Sequence, residues 1–375
     1  MKTITIIQRG ISKYRVLFYE ALKKELVSQN MRLILVHGHF SRFDPNNKNC
    51  TTVPWAIVIK NRVFKVFGKE VYWQPALRLA IGSDLVIVEQ ANRLIINPIL
   101  LALRRIFRFK LAFWGHGKNY QSTAQHGLLE RYKRAYSNKV DWWFAYTDLS
   151  AEVLRETGFP PEKITVVQNA VETNVLKAAL AAVTPTQLNA LKKELGLKSD
   201  RVCLYCGSMY PDKKLDFLLE SCIAIRAKIP DFEMIFIGSG SDQHMVESAA
   251  RQYLWIHYVG PKFDSERVPY FMLSKALLMP GLVGLVIVDS FVTCLPLFTT
   301  DIPIHSPEIA YLIQGINGVM TPYVVGAYSS AIAEYLENEV MQVALREGCR
   351  QSATTYTLEN MVNNFTQGIK KCLSA

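Results

Sequence analysis

Apolar runs of strand length recur along the chain, and the segments between them carry a helical pattern. In the first half these runs are residues 3–7, 32–38, 84–89, 110–117, 142–147 and 164–171. In the second half they are residues 202–207, 232–240, 255–261, 275–280 and 295–300. Strands that alternate with helices predict parallel sheets covered by helices, which is the α/β class.

A polar segment with a helical pattern and no strand signal, residues 172–200, interrupts this alternation. We therefore predict two Rossmann-like domains, each with a parallel sheet. The first domain is expected at 1–175, a linker at 176–200, the second domain at 201–355 and a final helical segment at 356–375. Ligands of such sheets bind beyond the carboxyl ends of the strands. The expected ligand site is therefore the interdomain cleft, which both sheets would face.

The segment "MPGLVGLVIVDSF" (279–291) is nearly all apolar and contains one carboxylate. Its mostly β-branched run 285–288 has the propensity of a strand. However, the segment lies between the strand-like runs 275–280 and 295–300, and successive parallel strands need a crossover that is usually helical. We therefore predict a helix over 284–293.

The start of this predicted helix is a candidate anion site. Gly281 and Gly284 open it and leave free amides at the carboxyl edge of the sheet, where helix N-termini bind anions. Asp289 lies about one turn inside and could accept hydrogen bonds from hydroxyls of the same ligand. The flanking strands thus argue against a buried strand here and make Asp289 a candidate ligand contact.

A second candidate site follows the first strand of the second domain. In "YCGSMYPDKKLDFLLES" (205–221) a strand leads through Gly207 and a loop to Lys213 and a helix, an arrangement that suits a diphosphate. A solvated loop with two surface lysines fits the same pattern equally well. Gly238 and Gly240 form a glycine turn at the same predicted edge, which is a weak signal alone because such turns are common.

One histidine stands out from the other six. His116, in "WGHGKN", ends a predicted strand of the first domain between two glycines, which leave its imidazole reachable. There it could hydrogen-bond a sugar hydroxyl or act on a proton. A functional role is favoured because the glycines provide no packing reason for the ring, whereas a core or surface role is favoured for the other histidines.

The composition narrows the possible partners. The 375 residues include 43 Lys or Arg and 32 Asp or Glu, and the net charge of +11 predicts a polyanionic partner such as nucleic acid, anionic lipid or a phosphorylated substrate. Seven cysteines, an odd number, favour reduced thiols and a cytoplasmic protein. Cys203 and Cys206 have CxxC spacing, but no second pair lies within zinc spacing, so buried thiols are favoured.

Two features bear on membranes. The N-terminus lacks the pattern of a signal peptide, and the apolar stretch 276–298 is interrupted by prolines and Asp289, so a core segment is favoured over a membrane span. The basic run "LRRIFRFK" (103–110) fits either a patch that docks on an anionic membrane or an amphipathic helix with cations in its last turn. Four further cations at 60–69 slightly favour the first interpretation, a patch that docks on an anionic membrane. Nucleic acid is not expected, because no recognised module is present.

Assembled in order, these segments resemble a family 4 glycosyltransferase (glycosyl transferases group 1) of the GT-B fold, and in particular its bacterial surface-polysaccharide and lipopolysaccharide members. The resemblance covers most of the chain. "KITVVQNAVET" (163–173) resembles the segment that closes the first domain, with Asn169 at the family's asparagine. "GISKYRVLFYEAL" (10–22) is similar to the opening loop and helix.

Two further motifs belong to the predicted second domain. "CGSMYPDKKLD" resembles a loop that reads Gly-Arg and then Glu-Lys-Gly in the family, and Lys213 falls on the lysine. "PGLVGLVIVDSFVTCLP" aligns on the stretch with two glutamates separated by seven residues, and Asp289 matches the second, which binds the ribose in the family. The resemblance also implies that the last helix crosses back to the first domain.

The resemblance implies a retaining, metal-independent hexosyltransferase that moves a sugar from a nucleotide-diphospho-sugar to a saccharide acceptor. A lipid-linked acceptor in O-antigen, capsule or exopolysaccharide assembly is expected, with the protein cytoplasmic or peripheral on the inner membrane face. The predicted catalytic residues are His116, Lys213 and Asp289. The predicted donor-binding residues are Gly207, Ser208, Lys213, Lys214, Gly238, Gly240, Gly281, Val283, Gly284, Leu285 and Asp289. The predicted acceptor-binding residues are Gly10, Arg15 and His116. No metal ligand and no cofactor besides the donor is expected.

Two positions depart from the family. Gly281 stands at the first glutamate, which contacts the donor sugar, and Ser208 replaces the arginine. A charge-assisted hydrogen bond contributes about 1.5–3 kcal/mol, so another cation would have to compensate, with Lys214, Arg9 and Arg15 as candidates. The alternative is a catalytically degenerate GT-B protein that binds sugar nucleotides or acts as a scaffold. A nicotinamide oxidoreductase is disfavoured, because "IIQRGISKYR" lacks the G-x-G-x-x-G spacing.

Overall fold

The structure, a computed structural model, describes residues 1–41, 44, 49–66, 68–91, 93–117 and 138–375. The chain divides into two compact units. The first unit comprises residues 1–172 together with 358–375, and the second comprises residues 173–357. Each unit is built around its own parallel sheet, so the predicted α/β class with two Rossmann-like sheets is confirmed.

The first unit has a seven-stranded sheet of parallel strands in the order β11-β10-β9-β8-β1-β3-β5. Its strands are β1 (Lys2–Gln8), β3 (Met31–His37), β5 (Ile57–Val58), β8 (Leu85–Glu89), β9 (Lys110–Gly115), β10 (Trp142–Ala145) and β11 (Ile164–Val166). All but the short β5 coincide with predicted strands. Two small antiparallel pairs were not predicted: β2 (Ile11–Ser12) with β4 (Cys50–Thr51), and β6 (Arg62–Val66) with β7 (Lys69–Trp73).

Helices cover both faces of this sheet. They are α1 (Val16–Ser28), α2 (Leu77–Ile81), α3 (Ile96–Phe107), α4 (Asp148–Glu156) and, from the end of the chain, α13 (Leu358–Ser374). Alternate side chains of β8 enter two different cores: Leu85 and Ile87 pack in one cluster, Val86 and Val88 in the other. A strand buried on both faces reads as a continuous apolar run, which explains why the sequence signal is so clear here.

The final helix α13 completes the core of the first unit. Phe365 is fully buried, and its ring stacks on Phe144 with the ring centres 4.5 Å apart. The same ring lies 5.0 Å from the ring of Trp114 and 5.4 Å from that of Phe18 on α1. Residues from four separate parts of the sequence therefore share one aromatic cluster, to which α13 contributes the central ring.

The second unit has a six-stranded parallel sheet in the order β14-β13-β12-β15-β16-β17. Its strands are β12 (Val202–Cys206), β13 (Glu233–Ile237), β14 (Ile256–Tyr258), β15 (Ala276–Leu278), β16 (Leu297–Thr300) and β17 (Gly318–Thr321). Its helices are α5 (Asn174–Ala182), α6 (Pro185–Leu195), α7 (Leu215–Lys228), α8 (Gln243–Gln252), α9 (Val268–Leu273), α10 (Val286–Val292), α11 (Val325–Glu337) and α12 (Glu339–Thr355).

The segment predicted as a linker, residues 176–200, is folded into the second unit as α5 and α6. The helix α6 has strong end signals. Thr184 and Gln187 form a capping box, Pro185 occupies the first turn, and Gly196 ends the helix with a φ of +69°. These polar helices therefore belong to the second unit. The sequence pattern could not show this, because a helix that covers a sheet and a helix in a linker have the same polar pattern.

The segment 284–293 forms a helix, α10, slightly shorter than predicted, at Val286–Val292. The flanking strands β15 and β16 are parallel neighbours, with Leu277 opposite Leu297. The need for a crossover between parallel neighbours thus overrides the β propensity of the valines and isoleucine. None of the helices in the described residues is both long enough and apolar enough to cross a membrane.

Replacing Phe365 with alanine tests the contribution of α13 to the first unit. Removing a fully buried aromatic ring should lower the free energy of unfolding of this unit by about 3–5 kcal/mol. Urea unfolding followed by tryptophan fluorescence measures this loss, because five of the six tryptophans lie in the first unit. Gln367→Ala, at an exposed position of the same helix, is the control and should leave the stability unchanged. Equal stability of the two variants would contradict the packing role of Phe365.

Candidate active site

The loop after β12 holds the predicted phosphate lysine. A short 3-10 turn, Pro211–Lys213, leads to Lys214, whose φ of +54° starts helix α7. Lys213 is buried with only 8% of its surface exposed, and its Nζ donates a hydrogen bond to the carbonyl oxygen of Leu282 at 2.5 Å. Burial lowers the pKa of this lysine to about 8. No carboxylate of the described residues forms an ion pair with Lys213, so the other protons of its ammonium group are available to an anion.

Gly281 lies directly against this loop. A Cβ atom at this position would lie 2.3 Å from the carbonyl oxygen of Asp212 and 2.3 Å from the carbonyl carbon of Lys213. The amide of the next residue, Leu282, donates to the same Asp212 oxygen at 2.8 Å. The backbone segment that follows β15 therefore packs on the lysine loop without any side chain between them. The glutamate found here in the family has no room in this arrangement.

Gly238 and Gly240 meet the same loop from the other side. Cβ atoms at these positions would lie 1.8 Å from the Gly207 oxygen and 2.0 Å from the Met209 oxygen. Backbone hydrogen bonds join the segments, from the Gly207 amide to the Ile237 oxygen at 3.0 Å and from the Met209 amide to the Ser239 oxygen at 2.9 Å. Both glycines follow β13 at the predicted carboxyl edge of the sheet, and these contacts give them a packing role.

Asp289 is buried in α10, and its carboxylate already has a partner. Its Oδ2 accepts a hydrogen bond from Nη1 of Arg267 at 2.6 Å. Burial raises the pKa of Asp289, while Arg267 opposes this by favouring the ionised carboxylate. Arg267 also hydrogen-bonds the thiol of Cys206, the last residue of β12, which links Asp289 to the start of the lysine loop. Arg267 was not predicted as a site residue, because no local pattern in "DSERVPY" indicates that its side chain contacts Asp289, 22 positions away.

The amides at the start of α10 are only partly free. The amide of Val283 donates to Nδ1 of His305 at 3.2 Å, while Nε2 of the same histidine lies 2.7 Å from the Thr300 oxygen. Nε2 therefore carries the proton, and burial lowers the pKa of this histidine, which keeps it neutral. No hydrogen bond of the Gly284 or Leu285 amide is found within the described part of the chain. His305 was not singled out from the sequence and has a structural role.

In the first unit, Arg9 has two acidic partners. It forms ion pairs with Asp44 at 2.9 Å and with Glu89 at 3.3 Å, and its guanidinium lies over the rings of Phe40 and Tyr72. These two carboxylates balance the charge of Arg9, which makes it a weaker candidate for the missing phosphate cation. The nearby Gly10 packs against Phe40, because a Cβ there would lie 2.8 Å from that ring.

Arg15 and His116 meet at one aromatic ring. The guanidinium of Arg15 lies 5.4 Å from the ring centre of Tyr146, and the imidazole of His116 lies 4.3 Å from it. Burial and the charge of Arg15 lower the pKa of His116 to about 4, so the imidazole is neutral at pH 7. Two predicted acceptor-binding residues are thus brought together. The residues that follow in the "WGHGKN" motif, from 118 on, lie outside the described residues.

Asp231 and Glu233, two acidic residues separated by one position, do not form a metal site. Asp231 pairs with Arg201 and Glu233 with His257, so the two side chains of this pair have separate partners. No group of three His, Cys, Asp or Glu side chains close enough to hold a metal ion is found in the described residues. All seven cysteines are free, and burial raises the pKa of Cys206 to about 11, as expected for an inert structural thiol.

Comparison with known proteins now identifies the second unit. Residues 200–338 match the family described as glycosyl transferases group 1. The second unit is a group 1 glycosyltransferase domain. The matched stretch contains the lysine loop, both glycine turns and Asp289, so the family resemblance is confirmed where the predicted donor site lies. A search of curated proteins found no significant match to the chain.

Solved structures extend the likeness to the whole chain. HepE of Anabaena in complex with UDP superposes with a TM-score of 0.70 at 14% identity, covering 99% of this chain and 100% of that one. A glycosyltransferase of Rickettsia africae gives 0.71 at 15% identity, covering 99% and 98%. The lipopolysaccharide outer core galactosyltransferase WaaB gives 0.65 at 14% identity, covering 98% and 99%. These likenesses show that the fold is GT-B.

Replacing Gly281 tests the close packing in the glycosyltransferase domain. Gly281→Ala should lower the free energy of unfolding by about 1–3 kcal/mol, because the new methyl group must displace backbone atoms at 212–213. Gly281→Glu, which restores the family residue, should be worse. Thermal unfolding measures both. Gly326→Ala is the matched control, because no atom lies within 4 Å of its Cβ position, and it should not destabilise. Wild-type stability of Gly281→Ala would contradict this packing.

The lowered pKa of Lys213 predicts how a diphosphate at this loop would bind as a function of pH. Because the folded-state pKa is about 8, the free protein loses this positive charge as the pH rises through 8. The affinity for a nucleoside diphosphate, measured by calorimetry without metal, should fall above pH 8, by up to about tenfold per pH unit. Lys213→Arg, which stays charged, should bind with little pH dependence between 7 and 9. A flat profile in the wild type would exclude Lys213 as the phosphate cation.

Proposed function

We propose that the chain transfers a sugar from a nucleotide-diphospho-sugar to a saccharide acceptor, with retention of the anomeric configuration and without a metal ion. The observation that carries the proposal is Lys213, a buried cation that forms no ion pair with the described residues of a glycosyltransferase domain and feels only the nearby charge of Asp212. Burying an uncompensated charge is costly. A diphosphate at the loop 207–213 would provide the missing counter-charge.

Lys213 has the chemistry to stabilise the leaving diphosphate. In a group transfer from a nucleotide-sugar, negative charge grows on the phosphate oxygen as the bond to the sugar breaks, and a fixed cation lowers the energy of that state. The amides of Gly284 and Leu285 would add dipoles of the same sign. Asp289 keeps its Oδ1 for a ribose hydroxyl while Arg267 holds Oδ2. The retaining outcome and the absence of metal rest on the family resemblance.

A nucleotide-linked donor is further supported by the structural neighbours. HepE has been solved with UDP-glucose, and the pneumococcal O-GlcNAc transferase GtfA with UDP and GlcNAc. Both superpose over nearly the full chain with TM-scores of 0.65 and 0.63. WaaB acts in the lipopolysaccharide outer core, which favours an acceptor of bacterial polysaccharide assembly for this chain too.

The surface of the first unit supports a lipid-linked acceptor at an anionic membrane. All five residues of β6 are exposed, among them Val63, Phe64 and Val66 beside two cations. At the end of α3, Ile106 and Phe107 are exposed next to arginines. Apolar side chains mixed with cations suit the interface of an anionic bilayer. We therefore place the protein at the inner face of the cytoplasmic membrane as a peripheral protein.

Ligand-induced stabilisation tests the proposal. The wild type, Lys213→Ala and Asp289→Asn are unfolded thermally against UDP-, GDP-, ADP- and CMP-sugars without metal. One nucleotide class should raise the midpoint of the wild type, because ligand at a hundred times its dissociation constant stabilises by about 2.7 kcal/mol. Lys213→Ala should abolish the shift, and Asp289→Asn should reduce it. Lys228→Ala, an exposed lysine of the same unit, is the control and should bind normally.

A turnover measurement distinguishes an active transferase from the alternative, a catalytically degenerate GT-B protein. Release of the nucleoside diphosphate from the stabilising donor, with saccharide acceptors or slowly with water, is expected of the transferase. Stabilisation without any release, across acceptors, would favour a sugar-nucleotide-binding or scaffold protein. If no nucleotide-sugar stabilises the protein at millimolar concentration, both the transferase and the sugar-nucleotide-binding protein are contradicted.

A further inference from the structure

The charge of Arg15 has no acidic counterpart among the described residues. Arg15 begins helix α1 with 6% of its surface exposed, and no carboxylate forms an ion pair with it in the described part of the chain. Its guanidinium carbon lies 4.9 Å from the ring centre of Trp114 and 5.1 Å from that of Tyr14. Its hydrogen bonds go to the sulfur of Met361, at 3.7 Å, and to the side chain of Tyr14.

This environment differs sharply from that of the other buried arginine of the same unit. Arg9 also lies over aromatic rings, but it has two carboxylates within 3.3 Å. Ring faces attract the charge of Arg15 but leave most of the five N–H donors of its planar group unused. A thioether is a weak acceptor. A buried guanidinium with unused donors is the arrangement that binds a carboxylate or phosphate through two parallel hydrogen bonds.

His116 adds a neutral polar atom beside this charge. Its ring packs on Tyr146, the ring that Arg15 also faces, and its Nδ1 is buried without a hydrogen-bond partner. A neutral imidazole offers one donor and one acceptor, which suits a sugar hydroxyl. Burial keeps the imidazole neutral, and the charge of Arg15 adds to this effect because it opposes protonation. The pair thus presents a fixed cation and a neutral hydrogen-bonding group at one place.

We propose that Arg15 binds an anionic oxygen group carried by the acceptor saccharide, while His116 hydrogen-bonds a hydroxyl of the same sugar. The acceptor class is then an acidic saccharide, with either a uronic acid carboxylate or a phosphate ester. The identification of this ligand as the acceptor rests on the proposed function. The anion site itself rests only on the geometry of the first unit.

The test compares matched sugars by calorimetry on the full chain. The probes are methyl glucuronoside, which carries a carboxylate, glucose 6-phosphate, which carries a phosphate, and neutral methyl glucoside. At least one anionic sugar should bind about tenfold more tightly than the neutral one, since a charge-assisted hydrogen bond contributes at least this factor. The preference should weaken with added salt. The anion that binds tells the carboxylate and phosphate sources apart.

Three variants assign the preference to Arg15. Arg15→Met keeps the length of the side chain and should abolish the preference for the anionic sugar. Arg15→Lys keeps the charge but not the fork and should retain part of it. Lys24→Met, an exposed lysine on the same helix, is the matched control and should bind like the wild type. If Arg15→Met fails to fold, the salt dependence of the wild type and the partial preference of Arg15→Lys decide the question.

Equal affinity for anionic and neutral sugars, a preference that survives in Arg15→Met, or no binding of either anionic sugar at high millimolar concentration would overturn the inference. These outcomes differ from failure of the proposed function. A protein that binds UDP-sugars but shows no anionic preference loses the inference alone. A protein with the anionic preference but without nucleotide binding keeps the anion site and loses the proposed transferase reaction.

Discussion

The arrangement of the second unit depends on three backbone segments that approach one another without side chains between them. The loop 207–213 lies between the glycine turn after β13 and the segment after β15. Each approach is closer than any Cβ atom permits, so each requires glycine, at Gly238, Gly240 or Gly281. This packing fixes the loop and brings the ammonium of Lys213 to the Leu282 carbonyl. The position of the one buried cation in this loop therefore follows from glycines rather than from charged neighbours.

Ion pairing separates structural charges from charges available to a ligand. Arg9 with its two carboxylates, and Glu233 with His257, are balanced within the fold. Lys213 and Arg15, one in each unit, are also buried, but neither forms an ion pair with a described residue. Because an unpaired buried charge lowers stability, a protein retains it where a ligand completes the pair. Asp289 is intermediate: Arg267 occupies one carboxylate oxygen and leaves the other for a hydrogen bond.

Much of the fold could be predicted because parallel strands buried on both faces produce unbroken apolar runs. The helix at 286–292 could also be predicted, because both flanking strands give such runs and only a crossover can join the parallel strands β15 and β16. Long-range side-chain contacts could not be predicted. Neither the pairing of Arg267 with Asp289 nor that of His305 with the Val283 amide leaves a local pattern. From the sequence, Lys213 and the glycines could be placed at one carboxyl edge of the sheet. The sequence alone does not distinguish a glycine that exposes its amide to a ligand from a glycine that leaves room for a neighbouring backbone segment.

This distinction changes the meaning of the departure at Gly281. From the sequence, a glycine in place of the family's glutamate reads as a lost contact to the donor sugar. In the structure, the space of that side chain is filled by the backbone of Asp212 and Lys213. The exchange removes a carboxylate from the surroundings of the lysine, and an acidic neighbour would raise its pKa. Burial outweighs the opposing charge of Asp212, and the pKa of Lys213 falls to about 8. The same substitution that removes a sugar contact in the family therefore leaves Lys213 as a buried cation without an ion-pair partner among the described residues, and this is the basis for proposing it as the diphosphate cation.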